Sequence, residues 1–325
     1  MNLSIKSSKR ISVLIPSYNQ EDIITNILES IENQDFFPLE VIVIDDCSKD
    51  NTFNVLQDYK KKSELNIKLI KNETNLGIYG NVDKLINHAN GDVICMLGGD
   101  DIFYDECFAK LEMFLGGLDL DGNLDKFLVI TNFLIEYPTK KSRLINNYQL
   151  RKKNHFGHII REDLGWRGFG MSKALAKSLG SREELCNSFG SLQYAADQII
   201  NLDEYINADH VFFLDITASI YVAGIGVSNN FDNTGPINSI KLNKVIRSRY
   251  KPYLNKSDLR YLDFRDKAAN FQINQSLPLF FKSFFSYILN IGNFGKNNNW
   301  IIQVKFLLPI FFYKRVKSFY HKYKR

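Results

Sequence analysis

Apolar and polar residues alternate with two different periods along the first 115 residues. Short apolar runs bounded by turn residues predict buried strands over residues 11–15, 39–44, 67–70 and 93–97. Apolar residues spaced three and four apart predict amphipathic helices over residues 21–34, 53–59, 80–89 and 104–115. Pro16 is expected to end the first strand. Since strands and helices alternate, the pattern predicts an α/β fold with a mainly parallel sheet flanked by helices.

The pattern changes in the second half of the chain. Further strands are predicted over residues 127–136 and 211–221, and further helices over residues 172–179 and 191–205. Beyond residue 230, aromatic residues mix with Lys and Arg. We therefore expect one domain over residues 1–235, with halves at about 1–110 and 111–235, and a basic, aromatic, helical C-terminal region over 236–325.

Two pairs of carboxylates end two of the predicted strands. Asp45 and Asp46 follow one apolar run, and Asp100 and Asp101 follow another after two glycines. In open α/β sheets, ligands bind outside the carboxyl ends of the strands. Oxygen ligands favour Mg²⁺ or Mn²⁺, usually together with substrate phosphates. The sequence thus predicts a site for a divalent cation and a nucleotide.

Charge is divided unevenly along the chain. Residues 241–325 contain 18 Lys or Arg and three Asp, a net charge of +15, so the first 240 residues carry −10 of the total of +5. A basic tail on an acidic body indicates an anionic partner surface, either membrane or nucleic acid. No RNP, helix-turn-helix or OB signature accompanies the charge, which argues against nucleic acid.

Cysteine spacing and hydropathy indicate the compartment. The four cysteines show no CxxC spacing and no accompanying His cluster, so we expect free thiols in a reducing compartment and no zinc site. We identify neither a signal peptide nor an uncharged apolar run long enough to span a bilayer.

Several short motifs, weak alone, occur in an order and spacing that is highly specific. They are Pro16-Ser17-Tyr18-Asn19, the segment from Glu40 to Thr52 with its Asp45-Asp46, Asn75-Leu76-Gly77 with Asn81 and Asn87, Gly91-Asp92, and Gly98-Gly99-Asp100-Asp101. With these motifs the chain resembles the family 2 glycosyltransferases, inverting enzymes with the Rossmann-like GT-A fold of nucleotide-diphospho-sugar transferases. The resemblance is strong over residues 10–110, moderate to about 230 and faint beyond.

The resemblance implies a nucleotide-sugar donor and a set of residues that would bind it. The implied donor-binding residues are Pro16, Tyr18, Asn19, Asp45, Asp46, Asn75, Gly77, Asn81, Gly99 and Asp100. It does not tell which of the two acids Asp45 and Asp46 makes which contact. The alternative is that Asp46 and Ser48 only organise a turn and cap a helix.

The metal motif departs from the family pattern. The family usually has Asp-x-Asp, and here Gly98 stands at the first Asp position while Asp100 stands at the second, metal-binding one. We expect Asp100, supported by Asp101, to hold Mn²⁺ or Mg²⁺ against the donor diphosphate. The alternative is that the two acids cap a helix N-terminus.

An inverting transfer also needs a base for the acceptor hydroxyl. Asp197 resembles the family's base position, with Asp203 or Glu204 as alternatives if the register differs, and a plain surface acid as a further one. Trp166 and Arg167 stand where the family's acceptor-facing loop lies, although either could simply pack.

The C-terminal tail suggests where the enzyme works. Residues 279–325 combine apolar aromatic surface with basic side chains, which is typical of a segment lying on an anionic membrane. Such attachment suits an acceptor built on a polyprenyl diphosphate. The alternative is packing of the aromatics on the catalytic domain or on a second subunit, as in a homo-oligomer.

Together with the family resemblance, the sequence implies a metal-dependent hexosyl- or N-acetylhexosaminyltransferase that is cytoplasmic and peripheral on the inner face of the cell membrane. It would move a sugar from a UDP-sugar, or another NDP-sugar, to a glycan or lipid-linked glycan in surface polysaccharide synthesis. One alternative is a sugar nucleotidyltransferase, which would need a Gly-rich phosphate loop after the first strand. The other is a non-catalytic sugar-nucleotide or glycan-binding protein with a degenerate metal site.

Overall fold

The computed structural model describes residues 6–7, 10–118, 125–148, 155–160, 168–188, 196–223 and 235–274. Among the helices in those ranges, none combines the length and the apolar character needed to cross a bilayer.

Helices and strands alternate through most of the described chain. The helices are α1 Ile24–Glu32, α2 Thr52–Lys60, α3 Gly77–His88, α4 Cys107–Gly116, α5 His155–Ile160, α6 Lys173–Ser178, α7 Arg182–Ser188, α8 Ala196–Asn207, α9 Gly235–Arg249 and α10 Lys256–Asn274. The strands are β1 Lys6–Ser7, β2 Ile11–Ser17, β3 Phe36–Phe37, β4 Glu40–Asp45, β5 Ile67–Lys71, β6 Val93–Met96, β7 Ile102–Phe103, β8 Phe127–Tyr137, β9 Lys140–Ile145, β10 Gly168–Ser172 and β11 His210–Val222.

The chain divides into two compact units that are not contiguous in sequence. The first comprises residues 1–152, 165–189 and 200–229, and the second comprises residues 153–164, 190–199 and 230–325. Helix α8 therefore has its first four residues in the second unit and the rest in the first.

A nine-stranded sheet forms the centre of the first unit. Its order is β5-β4-β2-β6-β10-β8-β11-β7, with β9 paired to β8. The four strands β5, β4, β2 and β6 are parallel. The chain runs outward from β2 to β4 and β5, and then returns to place β6 on the other side of β2. This reversal is the topological switch point at which open α/β sheets bind ligands.

Both faces of the parallel half are buried by helices. On one face Val13 of β2 clusters with Ile27 of α1. On the other face Leu14 clusters with Leu85 and Ile86 of α3. Burial of each such side chain stabilises the folded state by about 1.5–3 kcal/mol. The apolar residues whose spacing predicted the helices therefore also hold them on the sheet. The α/β fold class is confirmed.

The first strand extends beyond its predicted end. Pro16 lies within β2, in register with Ile44 of β4. The backbone oxygen of Leu14 accepts a hydrogen bond from Leu97 N, so the backbone polar groups of Leu14 point toward β6. Those of Pro16, two residues later, point the same way because the direction alternates along a strand. The paired part of β6 stops at Met96 opposite Leu14, so the missing N–H of Pro16 costs no ladder bond.

The second half of the sheet contains pairings that periodicity did not predict. Strands β7 and β10 join it through antiparallel partners distant in sequence. The helix predicted over residues 104–115 begins only at Cys107 because β7 precedes it. The helix predicted over residues 80–89 begins earlier, at Gly77.

Within the second unit, α9 and α10 are joined by an ionic network. Arg247 donates to Asp263 at 2.8 Å and to Asp266 at 2.7 Å. Asn243 also donates to Asp266, at 2.6 Å. The tail predicted to bind membrane, residues 279–325, lies outside the described residues.

A buried carboxylate fixes the amino-terminal ends of the central strands. Glu40 accepts hydrogen bonds from Ser12 Oγ at 2.7 Å and from the backbone and side chain of Asn90 at 2.6 and 2.9 Å. Ser12 Oγ in turn accepts from Gly91 N at 2.8 Å. A Cβ on Gly91 would collide with the backbone oxygen of Arg10, so only glycine fits this approach.

We predict that Glu40→Gln lowers the free energy of unfolding by about 1–3 kcal/mol near neutral pH, because a charged acceptor of several hydrogen bonds is lost. Burial alone would raise the pKa of Glu40, but the hydrogen bonds from Ser12 and Asn90 outweigh it and hold the pKa below its usual value. The resulting stabilisation is complete above the unfolded-state pKa and disappears as the pH falls through the folded-state pKa.

The difference in stability between the wild type and the Glu40→Gln variant should therefore shrink in acid. Urea denaturation between about pH 7 and about pH 3 measures it. Glu29→Gln, at an exposed position of α1, is the matched control and should show no such trend. A difference that stays constant over this range would contradict the role given to the Glu40 charge.

Candidate functional site

The loops that leave the carboxyl ends of the parallel strands interlock. In the loop after β2, the backbone N–H of Asn19 donates to Ser48 Oγ at 2.9 Å. The side-chain Oδ1 of Asn19 accepts from Lys49 N at 2.9 Å. Next to it, Gln20 N donates to Thr52 Oγ1 at 2.7 Å. The loops after β2 and β4 therefore form one polar rim.

Asp46 ties this rim to the loop after β5. Its Oδ1 accepts from Asn72 Nδ2 at 2.9 Å and from Leu76 N at 2.8 Å, and its Oδ2 accepts from Gly77 N at 2.9 Å. A carboxylate has about four lone-pair sites, so most of its capacity is used inside the protein. The loop-organising role that the sequence left as an alternative is what these contacts provide.

The predicted residues Asn75 and Asn81 belong to the same network. Asn75 Nδ2 donates to the backbone oxygen of Asp46 at 3.2 Å. Asn81 Oδ1 accepts from Asn72 Nδ2 at 2.7 Å, and its Nδ2 donates to Gly77 O at 2.8 Å. Asn75 thus joins the start of α3 to the loop after β4, and Asn81 joins it to Asn72 after β5.

Sequence reasoning missed two members of this network. Asn72 is buried and bridges Asp46 and Asn81, while Lys84 Nζ donates to Asn72 Oδ1 at 2.7 Å. One signal was available, because Asn72 directly follows β5 as Asp46 follows β4. Lys84 carried no such signal, since its role depends on how α3 packs.

Asp45 differs from its neighbour. It is fully buried, and its Oδ2 accepts from Ser48 N at 3.3 Å. Its Oδ1 is also buried and has no hydrogen-bond partner among the residues that the structure describes. Buried polar atoms are normally paired, and an unpaired one costs about 1–3 kcal/mol. A ligand N–H or hydroxyl reaching this oxygen would remove that cost.

Left-handed backbone conformations cluster at the same rim. Asn19 has φ 51°, Cys47 has φ 59° and Gly77 has φ 71°. Such conformations are uncommon for residues with a Cβ and are maintained only where the surroundings fix them. The hydrogen bonds of Asn19 and of the Asp46 loop provide that constraint, so the rim is preorganised.

Two further predicted donor-site residues lie at the carboxyl end of β2 and directly after it. Pro16 is half-buried at the end of the strand, and Tyr18 is 39% exposed. An exposed aromatic ring beside a polar rim offers a face on which a planar ring can stack.

Two glycines shape the loop after β6. Asp101 N donates to Gly98 O at 3.1 Å, closing a turn. An ideal Cβ on Gly98 would lie 2.6 Å from Asp100 Oδ1, so the carboxylate of Asp100 lies over the bare backbone at 98. A Cβ on Gly99 would collide with the side chain of Gln20. This loop therefore packs directly against the loop after β2.

The helix-capping alternative for the two acids is wrong. Strand β7 follows Asp101, and α4 begins only at Cys107. Asp100 is half-buried, and Asp101 is 4% exposed. Within the described ranges, no group of three or more His, Cys, Asp or Glu side chains could hold a metal by itself.

The candidate bases differ in accessibility. Asp197 is exposed in the first turn of α8, whereas Asp203 and Glu204 are buried. Glu204 lies 3.9 Å from the guanidinium of Arg182, which is 3.5 Å from Asp83 of α3. Glu204 is thus part of a buried ionic cluster, while Asp197 is open to solvent. The predicted acceptor residues Trp166 and Arg167 lie outside the described residues.

The switch point of the sheet and the helices on both of its faces define a mixed α/β fold with a mainly parallel half. The chain belongs to glycosyl transferase family 2, whose family model matches residues 12–178. Asp197 lies beyond the matched segment.

Several bacterial relatives are similar to parts or most of the chain. The poly(ribitol-phosphate) β-N-acetylglucosaminyltransferase TarS of Staphylococcus aureus is 35% identical over 109 residues, which cover 33% of this chain and only 19% of the length of TarS. The putative glycosyltransferase EpsH of Bacillus subtilis is 26% identical over 296 residues, or 89% of this chain and 77% of EpsH.

Solved structures agree on the fold. Residues 1–349 of TarS in complex with UDP-GlcNAc match with a TM-score of 0.54 at 19% identity, covering 88% of this chain and 80% of that one. The mannosyltransferase PcManGT of Pyrobaculum calidifontis, in complex with GDP-Man and Mn²⁺, matches with a TM-score of 0.51 at 16% identity. The match covers 92% of this chain and 84% of PcManGT. The GT-A fold is therefore confirmed.

Proposed function

We propose that this glycosyltransferase is an inverting enzyme that transfers one sugar from a UDP-sugar to a glycan or lipid-linked glycan during surface polysaccharide synthesis. The observation that carries the proposal is the preorganised polar rim at the switch point of the sheet, in which Asp45 keeps a buried oxygen without a partner among the described residues. The similarity to TarS, whose residues 1–349 were solved in complex with UDP-GlcNAc, supports a nucleotide-sugar donor.

In this proposal the two acids after β4 have separate tasks. Asp46 holds the loop and the start of α3 in place through its three hydrogen bonds. Asp45 accepts from the donor, either from a uracil N–H or from a ribose hydroxyl. Tyr18, 39% exposed at the rim, covers one face of the base.

Asp100 is the proposed ligand for Mn²⁺ or Mg²⁺, with Asp101 in support. A single carboxylate is sufficient because Mg²⁺ sites commonly combine one or two carboxylates with substrate phosphates and water. The half-buried Asp100 carboxylate, lying over Gly98, supplies the hard oxygen that such an ion prefers. When bound, the ion would neutralise charge on the diphosphate leaving group.

Asp197 is the proposed general base. An inverting transfer needs a carboxylate that removes the proton of the acceptor hydroxyl as the hydroxyl attacks the anomeric carbon. Among the three acids predicted for this role, Asp197 is the exposed one. Trp166 and Arg167 remain candidates for contacts with the acceptor.

Release of UDP tests the function directly. UDP-, GDP- and dTDP-sugars are incubated with the protein and Mn²⁺, and both thermal shift and nucleotide release are measured. We expect a UDP-sugar to raise the melting temperature and to be turned over slowly with water as acceptor. Thermal stabilisation without release from any donor would favour the non-catalytic binder. The nucleotidyltransferase is disfavoured because residues 16–21 contain no glycine.

We predict that Asp100→Ala removes the metal-dependent part of UDP binding, a loss of at least about tenfold in affinity. The physical reason is that the ion loses its main proposed side-chain anchor beside the diphosphate. Calorimetric titration of UDP with Mn²⁺ and with EDTA measures it. The exposed Asp105, changed to Ala, is the control. If Asp100→Ala still binds UDP more tightly with Mn²⁺ than with EDTA, another group holds the ion.

For Asp197→Asn we expect UDP release to fall by about 10²–10⁴-fold, since a positioned base contributes about that much. Donor affinity should stay unchanged, because the amide keeps the shape of the side chain. Asp209→Asn, also exposed, should release UDP at the wild-type rate. Near-normal turnover of Asp197→Asn would instead direct attention to Asp203→Asn and Glu204→Gln.

We also propose that the tail attaches the enzyme to the inner face of the cell membrane, on the strength of its charge and aromatic composition alone. Replacing Lys314, Arg315 and Lys317 together by Gln should weaken binding to anionic liposomes roughly a hundredfold, at about 1 kcal/mol for each charge. Co-sedimentation of the full chain measures the affinity.

The exposed run Lys60, Lys61 and Lys62, changed likewise to Gln, provides a control with the same change in net charge. Equal loss in both triple variants would show a general charge effect. Unchanged sedimentation of the tail variant would favour packing of the tail on protein.

A further inference from the structure

The first turn of α8 is anchored within the second compact unit. Gln198, next to the proposed base, donates through Nε2 to the backbone oxygens of Ile159 at 2.9 Å and Ile160 at 3.1 Å. Arg265 of α10 donates through one guanidinium nitrogen to Gln198 Oε1 at 3.2 Å and to Ile160 O at 3.4 Å. One cation thus joins the end of α5, the start of α8 and α10.

A second anchor acts on the following residue. Tyr250, at the end of α9, is 2% exposed and donates its hydroxyl to the backbone oxygen of Ile199 at 3.0 Å. Its ring packs edge-on against Phe156 of α5, with the ring centres 5.9 Å apart. The orientation of the Tyr250 hydroxyl is therefore fixed by packing within the same unit.

We infer that Arg265 and Tyr250 are positioning residues for Asp197, so that the C-terminal helices set the placement of the carboxylate that activates the acceptor. The inference rests on the proposed role of Asp197 as base. Asp197 is exposed, while the two residues that follow it are held by Arg265 and Tyr250. A misplacement of about 1 Å can cost about a hundredfold in rate, and the backbone of this first turn determines where the carboxylate lies.

Arginine suits this position for a geometric reason. Its planar guanidinium directs several N–H groups at fixed angles, and it stays charged at all relevant pH values. In this protein one nitrogen serves two acceptors on two different elements. Lysine has the charge but not the fixed fork, so it should restore the function only in part.

The test is steady-state UDP release with Mn²⁺ and the UDP-sugar that is turned over fastest. We expect Arg265→Gln to lower kcat by about 10–100-fold with the donor KM within about twofold of the wild type, and Arg265→Lys to recover part of kcat. Tyr250→Phe keeps the ring and should lower kcat by a smaller factor than Arg265→Gln, with the donor KM unchanged. Arg260→Gln, exposed on the same helix, should match the wild type.

The double variant Asp197→Asn with Arg265→Gln separates positioning from general damage. If Arg265 acts through Asp197, the double variant releases UDP no more slowly than Asp197→Asn alone. Three outcomes would each overturn the inference. They are a further loss of UDP release in the double variant, a normal kcat for Arg265→Gln, and a loss of kcat/KM in Arg265→Gln that comes entirely from a higher donor KM. Normal turnover of Asp197→Asn would instead overturn the base assignment in the proposed function.

Discussion

The carboxylate of Asp46 fixes the geometry of the polar rim at the carboxyl ends of the parallel strands. Its partners are two backbone N–H groups, of Leu76 and Gly77, and the amide of Asn72. A buried charge is tolerable only when it is well paired, and these donors stay in place because α3 is packed on the sheet through Leu85 and Ile86. The apolar face of one helix therefore determines the shape of a polar loop, and the loop leaves Asp45 available for a different contact.

The order of strands and helices in the first 115 residues was predictable because each element has its own period and its own turn residues. The position of the two acidic pairs followed from the rule that parallel strands direct their carboxyl ends to one edge. The different surroundings of Asp45 and Asp46 were not predictable, since those of Asp46 arise from hydrogen bonds between residues 26 to 31 positions apart. Strands β7 and β10 were missed for the same reason: two to five residues pair with distant strands, and periodicity carries no information about partners.

The division of the chain into two units was equally hidden in the sequence. Residues 153–164 and 190–199 group with the C-terminal helices, although nothing in their composition marks them. Single side chains provide hydrogen bonds to these segments: Arg265 lies on α10, and Tyr250 directly follows α9. Asp45 and Asp46 therefore belong to the first unit, and Asp197 belongs to the second.

Gly98 shows why a departure from a family motif does not by itself mean a lost function. A side chain at this position would begin 2.6 Å from Asp100 Oδ1, so an aspartate at 98 and the present position of the Asp100 carboxylate exclude one another. Two neighbouring carboxylates would also repel each other unless an ion lay between them. With glycine, a single half-buried carboxylate faces the position proposed for the cation, and the phosphates of the donor would supply the remaining charge. The glycine is thus compatible with a site whose cation binds together with the nucleotide, because Mg²⁺ is commonly held by one or two carboxylates together with substrate phosphates and water.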